Sequence, residues 1–161
     1  MGKILGSING QKYRWVATPV LAFIVTRLVI AFTAYFSTPI LADSSVPPYH
    51  IKPDNTIMDV FGSRWDTGFY IDIASEGYKY HGERFPSVAF FPLLPLLIRA
   101  MNVFTQDFLV AGLVITNLAL LGASVMFYRL AADLEGENTA SRAVWYLLLF
   151  PASFFGSAIY S

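Results

Sequence analysis

Apolar and polar residues along this chain come in long blocks rather than in short alternations. The first apolar block runs from Trp15 to about Phe36, enough for a hydrocarbon core that needs about 20 helical residues. Lys3, Lys12 and Arg14 precede it. The block is longer than the apolar core of a secretory signal and no small-residue cleavage site follows, so it reads as a retained first span with its N-terminus inside. Three further apolar blocks follow, and the pattern predicts about four spans, near 15–36, 86–104, 108–130 and 139–161. Pro92 and Pro95 predict that the second is kinked or opens as a half-helix, too short to span when counted only from Pro92. The short Thr105-Gln106-Asp107 turn predicts an antiparallel pair, and Asp133, Glu135 and Glu137 predict an acidic loop on the outer side.

Between the first two spans, residues 42–87 are polar and rich in turn signals, including Pro47-Pro48, Lys52-Pro53-Asp54 and His81-Gly82-Glu83. Acids outnumber bases there, which predicts an external loop, and its length exceeds that of a simple connector. No internal repeat, low-complexity tract or soluble domain is visible. The expected fold class is an all-α membrane protein of multi-pass transmembrane helices, with residues 1–161 forming the N-terminal part of one polytopic membrane domain and a helical outer loop between spans 1 and 2.

Composition agrees with that class: the chain is 55% hydrophobic and 16% aromatic with 14% charged residues, and its mean hydropathy is +0.53. Eleven Lys and Arg balance eleven Asp and Glu, so no basic field recruits nucleic acid. The absence of cysteine excludes disulfides, thiolate metal sites and a cysteine nucleophile.

Candidate chemistry concentrates between Ser63 and Gly77. At about 100° per residue, Trp65, Phe69, Ile73, Tyr70 and Ala74 fill half of a helical wheel, with Asp66 in the middle of that arc. Two explanations of Asp66 stand side by side. Ser63 followed three residues later by Asp66 resembles a capping box, with Gly77 suited to the position after the last turn. Alternatively, a carboxylate beside aromatic rings is a candidate general base, and aromatic side chains such as Trp65 and Tyr70 are a platform for a sugar face. Asp59 and Asp72 are the weaker alternatives. Arg27 lies inside the first span and is expected to face protein or a cavity. Arg99 and Arg129, near helix ends, are expected to snorkel to the interface. His50 and His81 lack the clustered partners of a metal site, and no metal or cofactor is expected.

The blocks Arg64-Trp65-Asp66 with Tyr70, Ala74 with Gly77-Tyr78, Ala89-Phe90-Phe91-Pro92-Leu93-Leu94-Pro95-Leu96-Leu97, and Phe150-Pro151 with Ser153, Phe154, Ser157-Ala158 and Tyr160-Ser161 resemble the PIG-V mannosyltransferases, relatives of GPI mannosyltransferase 2. The resemblance implies a GT-C-like fold and a GT-C glycosyltransferase: a multi-spanning helical enzyme with an essential acid in its first outer loop and a polyprenyl- or dolichyl-phosphate-mannose donor. Its Trp-Asp pair falls on Trp65 and Asp66. Asp66 is then the catalytic base, with Arg64, Trp65 and Tyr70 as substrate-binding residues, Arg64 holding the donor phosphate or the acid. The chain stops before the glutamate that continues the family pattern, and it reads as the N-terminal part of a larger membrane enzyme, inactive by itself.

The implied function is transfer of mannose to an extracytoplasmic or lumenal glycolipid or glycan, as in GPI anchor biosynthesis. The alternative is a non-catalytic membrane subunit or transporter component that binds glycan or lipid. A transporter places ionisable residues at the midplane of broken helices, whereas here they gather in one outer loop, which favours the enzyme. Expected partners are membrane lipids, the lipid-linked sugar, the acceptor and a further membrane subunit. The expected location is the plasma membrane in a prokaryote or the endoplasmic reticulum membrane in a eukaryote.

Overall fold

A computed structural model describes residues 13–41, 66–79 and 87–158, with backbone alone for 37–41. Among these residues every regular element is helical: α1 (Arg14–Leu41), α2 (Thr67–Glu76), α3 (Leu93–Thr105), α4 (Phe108–Glu135) and α5 (Glu137–Leu149), with 3₁₀ segments at Ser87–Ala89 and Pro151–Ser157.

Two of these helices, α1 and α4, are long and apolar enough to cross a membrane. Each has 28 residues, about 42 Å at 1.5 Å per residue. Their most apolar stretches are only 17% and 22% buried, and large side chains such as Leu21, Leu28 and Phe32 on α1 and Met126 and Leu130 on α4 are exposed. A core helix of a soluble protein would hide such residues; here they make a surface suited to lipid.

The other two expected spans are shorter as helices. Both α3 and α5 have 13 residues, about 20 Å against a hydrocarbon core of about 30 Å. Prolines set these limits. Helix α3 begins directly after Pro92 with Pro95 in its first turn, where a proline's missing N–H has no helical acceptor to lose. Helix α5 ends because Pro151 holds Phe150 in extended backbone, φ −60° and ψ 132°.

The described chain forms two compact units, one taking in α1 to Ile30 and Ala119–Ser153, the other Ala31–Leu118 and the segment from Phe154 onward. In the first, Ala22 of α1 packs with Tyr128 of α4 and with Ala140, Val144 and Leu148 of α5. The small Ala22 and Ala140 allow close backbone approach without a gap. Arg14, at the head of α1, pairs with Glu137 at the head of α5 (3.5 Å), and the Arg129 guanidinium lies 4.9 Å from the centre of the Trp15 ring.

Those two contacts put the head of α1 and the junction of α4 with α5 at one end of this unit, although the basic flank and the acidic residues were expected on opposite sides. Asp133 and Glu135 belong to α4 and Glu137 opens α5, with the single residue Gly136, at φ 83°, between the helices. Arg129, expected to snorkel, rests its charge on the Trp15 ring.

In the second unit, Ile98, Leu94 and Met101 of α3 pack with Ala111, Phe108, Leu109 and Leu113 of α4. The turn between them is tight: Gln106 is left-handed (φ 56°) and its N–H donates to Asn102 O (2.9 Å). Asp107 Oδ1 then accepts from the N–H groups of Leu109 (2.8 Å) and Val110 (3.0 Å), capping α4. The expected short turn is present, and the two helices share an apolar cluster across it.

Candidate active site

Helix α2 carries the candidate chemistry; Gly77 follows its last turn as expected, while its leading end departs from the sequence reading. The helix begins at Thr67 rather than Ser63, so Asp66 is itself the N-cap residue, and its side chain makes no cap hydrogen bond. Only its carbonyl is engaged, accepting from Tyr70 N–H at 3.3 Å. The buried face consists of Thr67, Tyr70, Ile73 and Ala74. Asp66, the residue before the helix, is exposed and not part of that buried face. Asp72 is exposed as well. Arg64, Trp65, Ser63, Asp59, His50 and His81 lie outside the described residues.

Aromatic rings fill the space beneath α2. Phe69 stacks on Phe90 (4.8 Å, 19°), and Tyr70 meets the same ring edge-on (5.2 Å, 76°). Tyr70 is 9% exposed and sits in the core with Ala74, Ile98 and Ala111. It supports the site from below instead of presenting an open face. Burial raises its phenol pKa above the usual 10.0, and the nearby Asp66 carboxylate and Tyr78 push in the same direction.

The C-terminal end of α2 is held firmly. Gly77 adopts φ 93°, and its N–H donates to Ile73 O at 3.0 Å. Arg99 of α3 spans the last turn: Nε donates to Ala74 O (2.5 Å), while Nη2 reaches Ile73 O (3.3 Å) and Ser75 O (3.4 Å). A guanidinium suits this place because the helix C-terminus carries freed carbonyls and partial negative charge. Arg99 was expected to snorkel. Its true role lay beyond sequence reading, because its partners are backbone oxygens.

Beyond Gly77 the Tyr78 hydroxyl donates to Phe90 O (2.7 Å). The Lys79 N–H donates to Ser87 Oγ (2.9 Å) and Ser87 N–H to Lys79 O (3.2 Å), joining the chain on either side of residues 80–86. Lys79 also pairs with Glu76, whose carboxyl is held below the ordinary range by that ammonium. Two motif blocks distant in sequence, Gly77-Tyr78 and Phe90 through Pro95, thus meet. From these blocks Gly77, Tyr78, Pro92 and Pro95, with Ile73, Leu96 and Arg99, line a largely apolar pocket of about 110 Å³.

In the other unit Arg27 faces protein, as expected of an arginine in a span. Its Nη1 donates to Ser153 O (3.3 Å), and Nη2 to Leu148 O and Ser153 Oγ (each 3.4 Å). It serves the carbonyls released where Pro151 ends α5, as Arg99 serves those of α2. Among the described residues no group of three or more His, Cys, Asp or Glu side chains is placed to hold a metal ion.

No curated protein and no solved structure matches the chain. The sequence profile of the mannosyltransferase (PIG-V) family matches residues 15–161, which takes in α1, the motif segment around α2, and every helix after it. With that extent of match, the chain belongs to the mannosyltransferase (PIG-V) family, a glycosyltransferase family of the membrane.

Proposed function

We propose that this protein is a GT-C glycosyltransferase that moves mannose from a polyprenyl-phosphate donor, dolichyl-phosphate in a eukaryote, to a glycolipid or glycan on the extracytoplasmic or lumenal side, as in GPI anchor synthesis. The observation that carries the reading is Asp66, an exposed carboxylate with no cap hydrogen bond, at the leading end of a helix anchored at its other end. A structural acid would be spent on the helix N-terminus; this one is available to a substrate.

In the proposed reaction an acceptor hydroxyl gives its proton to the Asp66 carboxylate while its oxygen bonds to the anomeric carbon. The bond from that carbon to the phosphate oxygen breaks, and the lipid phosphate leaves with the electron pair. Phosphate is a good leaving group, so one base and one cation for the departing charge suffice. Arg64 is the candidate cation and Trp65 the candidate sugar platform. The site belongs to the plasma membrane of a prokaryote or to the endoplasmic reticulum membrane.

The test is an assay of the protein in its native membrane, supplied with labelled polyprenyl-phosphate-mannose and, separately, the glucose analogue. Label should pass to a membrane acceptor from the mannose donor. Folded protein that transfers neither sugar would overturn the assignment.

A further inference from the structure

Contacts along α1 fix the direction of α5. Arg14, the first residue of α1, pairs with Glu137, the first of α5 (3.5 Å), and farther along both helices Arg27 donates to Leu148 O (3.4 Å). Nearly the same length of each helix separates the two contacts, so α1 and α5 run side by side in one direction. Both start from the same side of the membrane that α1 crosses. Between Arg14 and Glu137 the chain must then cross an even number of times.

That parity decides α3. Helices α1 and α4 account for two crossings, as the two long apolar helices among the described residues. Residues 42–65 supply none, because Pro47, Pro48 and Pro53 with Asp43, Lys52 and Asp54 leave no apolar run of about 20 residues. A crossing by α3 would make three and would put Glu137 opposite Arg14. Its 13 residues, about 20 Å of helix, are also too few for a hydrocarbon core of about 30 Å.

Helix α3 is nonetheless built for lipid. At about 100° per residue Leu93, Leu96, Leu97, Ala100, Val103 and Phe104 share one side, and all of them are exposed, Phe104 at 84%. The polar groups turn the other way: Arg99 bonds to the carbonyls of α2, and Asn102 Oδ1 is buried. A helix washed by water has the opposite arrangement.

We infer that α3 does not cross the membrane but lies in the leaflet on the side of residues 42–87, with its Leu93–Phe104 face against acyl chains and the Thr105-Gln106-Asp107 turn on that same side. Tyr70 and Ala74 of α2 pack with Ile98 of α3, so the motif segment is carried at that leaflet. This placement does not depend on Asp66 being the base.

The chain has no cysteine, so single cysteines in the full chain report position without background, in sealed vesicles of known orientation. Gln106→Cys, in an exposed turn, should react with a membrane-impermeant maleimide from the same side as Ser44→Cys, and Asn138→Cys only from the opposite side. Thr105→Cys replaces Gln106→Cys should that variant fail to accumulate or to react in detergent. Reaction of the turn from the side that labels Asn138→Cys, or of Asn138→Cys from the side that labels Ser44→Cys, would overturn the inference. Nitroxides on Leu96→Cys and Val103→Cys then read the face. Both should be relaxed by oxygen, which concentrates among acyl chains, and spared by a water-soluble nickel chelate. Relaxation by nickel would put the face in water, and weak relaxation by both reagents would put protein over it; either result sinks the assignment to lipid.

Discussion

Arg14 and Glu137 form an ion pair of 3.5 Å that joins the first residue of α1 to the first residue of α5. The pair is about half exposed and contributes little stability by itself. Its value is topological: with Arg129 over Trp15, it puts the head of α1 and the tail of α4 at one end.

If α1 and α4 are the crossing helices, the basic N-terminal flank and the α4–α5 junction face the same compartment, the cytoplasm by the distribution of Lys and Arg. Single cysteines at Ser7 and Asn138 should both resist a membrane-impermeant thiol reagent in sealed cells, and one at Ser44 should react. Labelling of Asn138 together with Ser44 would restore the topology drawn from the acidic residues alone.

Asp66→Asn separates base from cap. With no side-chain cap bond to lose, the variant should keep its thermal stability within about 0.5 kcal/mol, at the low end of cap effects. Transfer should drop by roughly 10² to 10⁴, the range of general base catalysis. Asp72→Asn, on the same helix and also exposed, should retain near-wild-type turnover. Normal transfer by Asp66→Asn would direct the search for the base to Asp59.

Arg27 and Ser153 share one broken helix end. Ser153 Oγ donates to Leu148 O at 2.6 Å, and Arg27 donates to both residues. Arg27→Leu removes the charged donor and should destabilise by about 3 kcal/mol, the upper range for hydrogen bonds to a charged group. Ser153→Ala should cost about 1 kcal/mol. Thermal unfolding in lipid-detergent mixtures reads both, and an unshifted Tm for Arg27→Leu would show that other donors serve those carbonyls.

Gly77 has open space around the position of a side chain but a φ of 93°. Gly77→Ala should therefore destabilise by about 1 kcal/mol through backbone strain alone. Gly68, inside α2 and equally open, should respond with the opposite sign, gaining about 0.5 kcal/mol as alanine. Equal Tm changes in the two variants would contradict this account.

Sequence by itself determined the class. The blocks that became α1 and α4 are apolar on every side, and burial in lipid requires that regardless of neighbours. The break at Pro92 was equally legible, since proline's missing N–H acts locally, whereas the end of α5 before Pro151 falls inside the span expected over 139–161. Family membership was readable from the motif blocks, which the profile match over residues 15–161 bears out. The helical wheel misplaced Asp66, which is the N-cap residue and exposed, because a wheel gives the direction of a residue and not whether anything packs over it. Tertiary structure alone decided the anchors. Arg99 finds its carbonyls 25 residues away and Arg27 its own 121 and 126 residues away. Those partners are backbone oxygens, present at every residue and distinguished only by where a helix happens to end, so no side-chain pattern announces them.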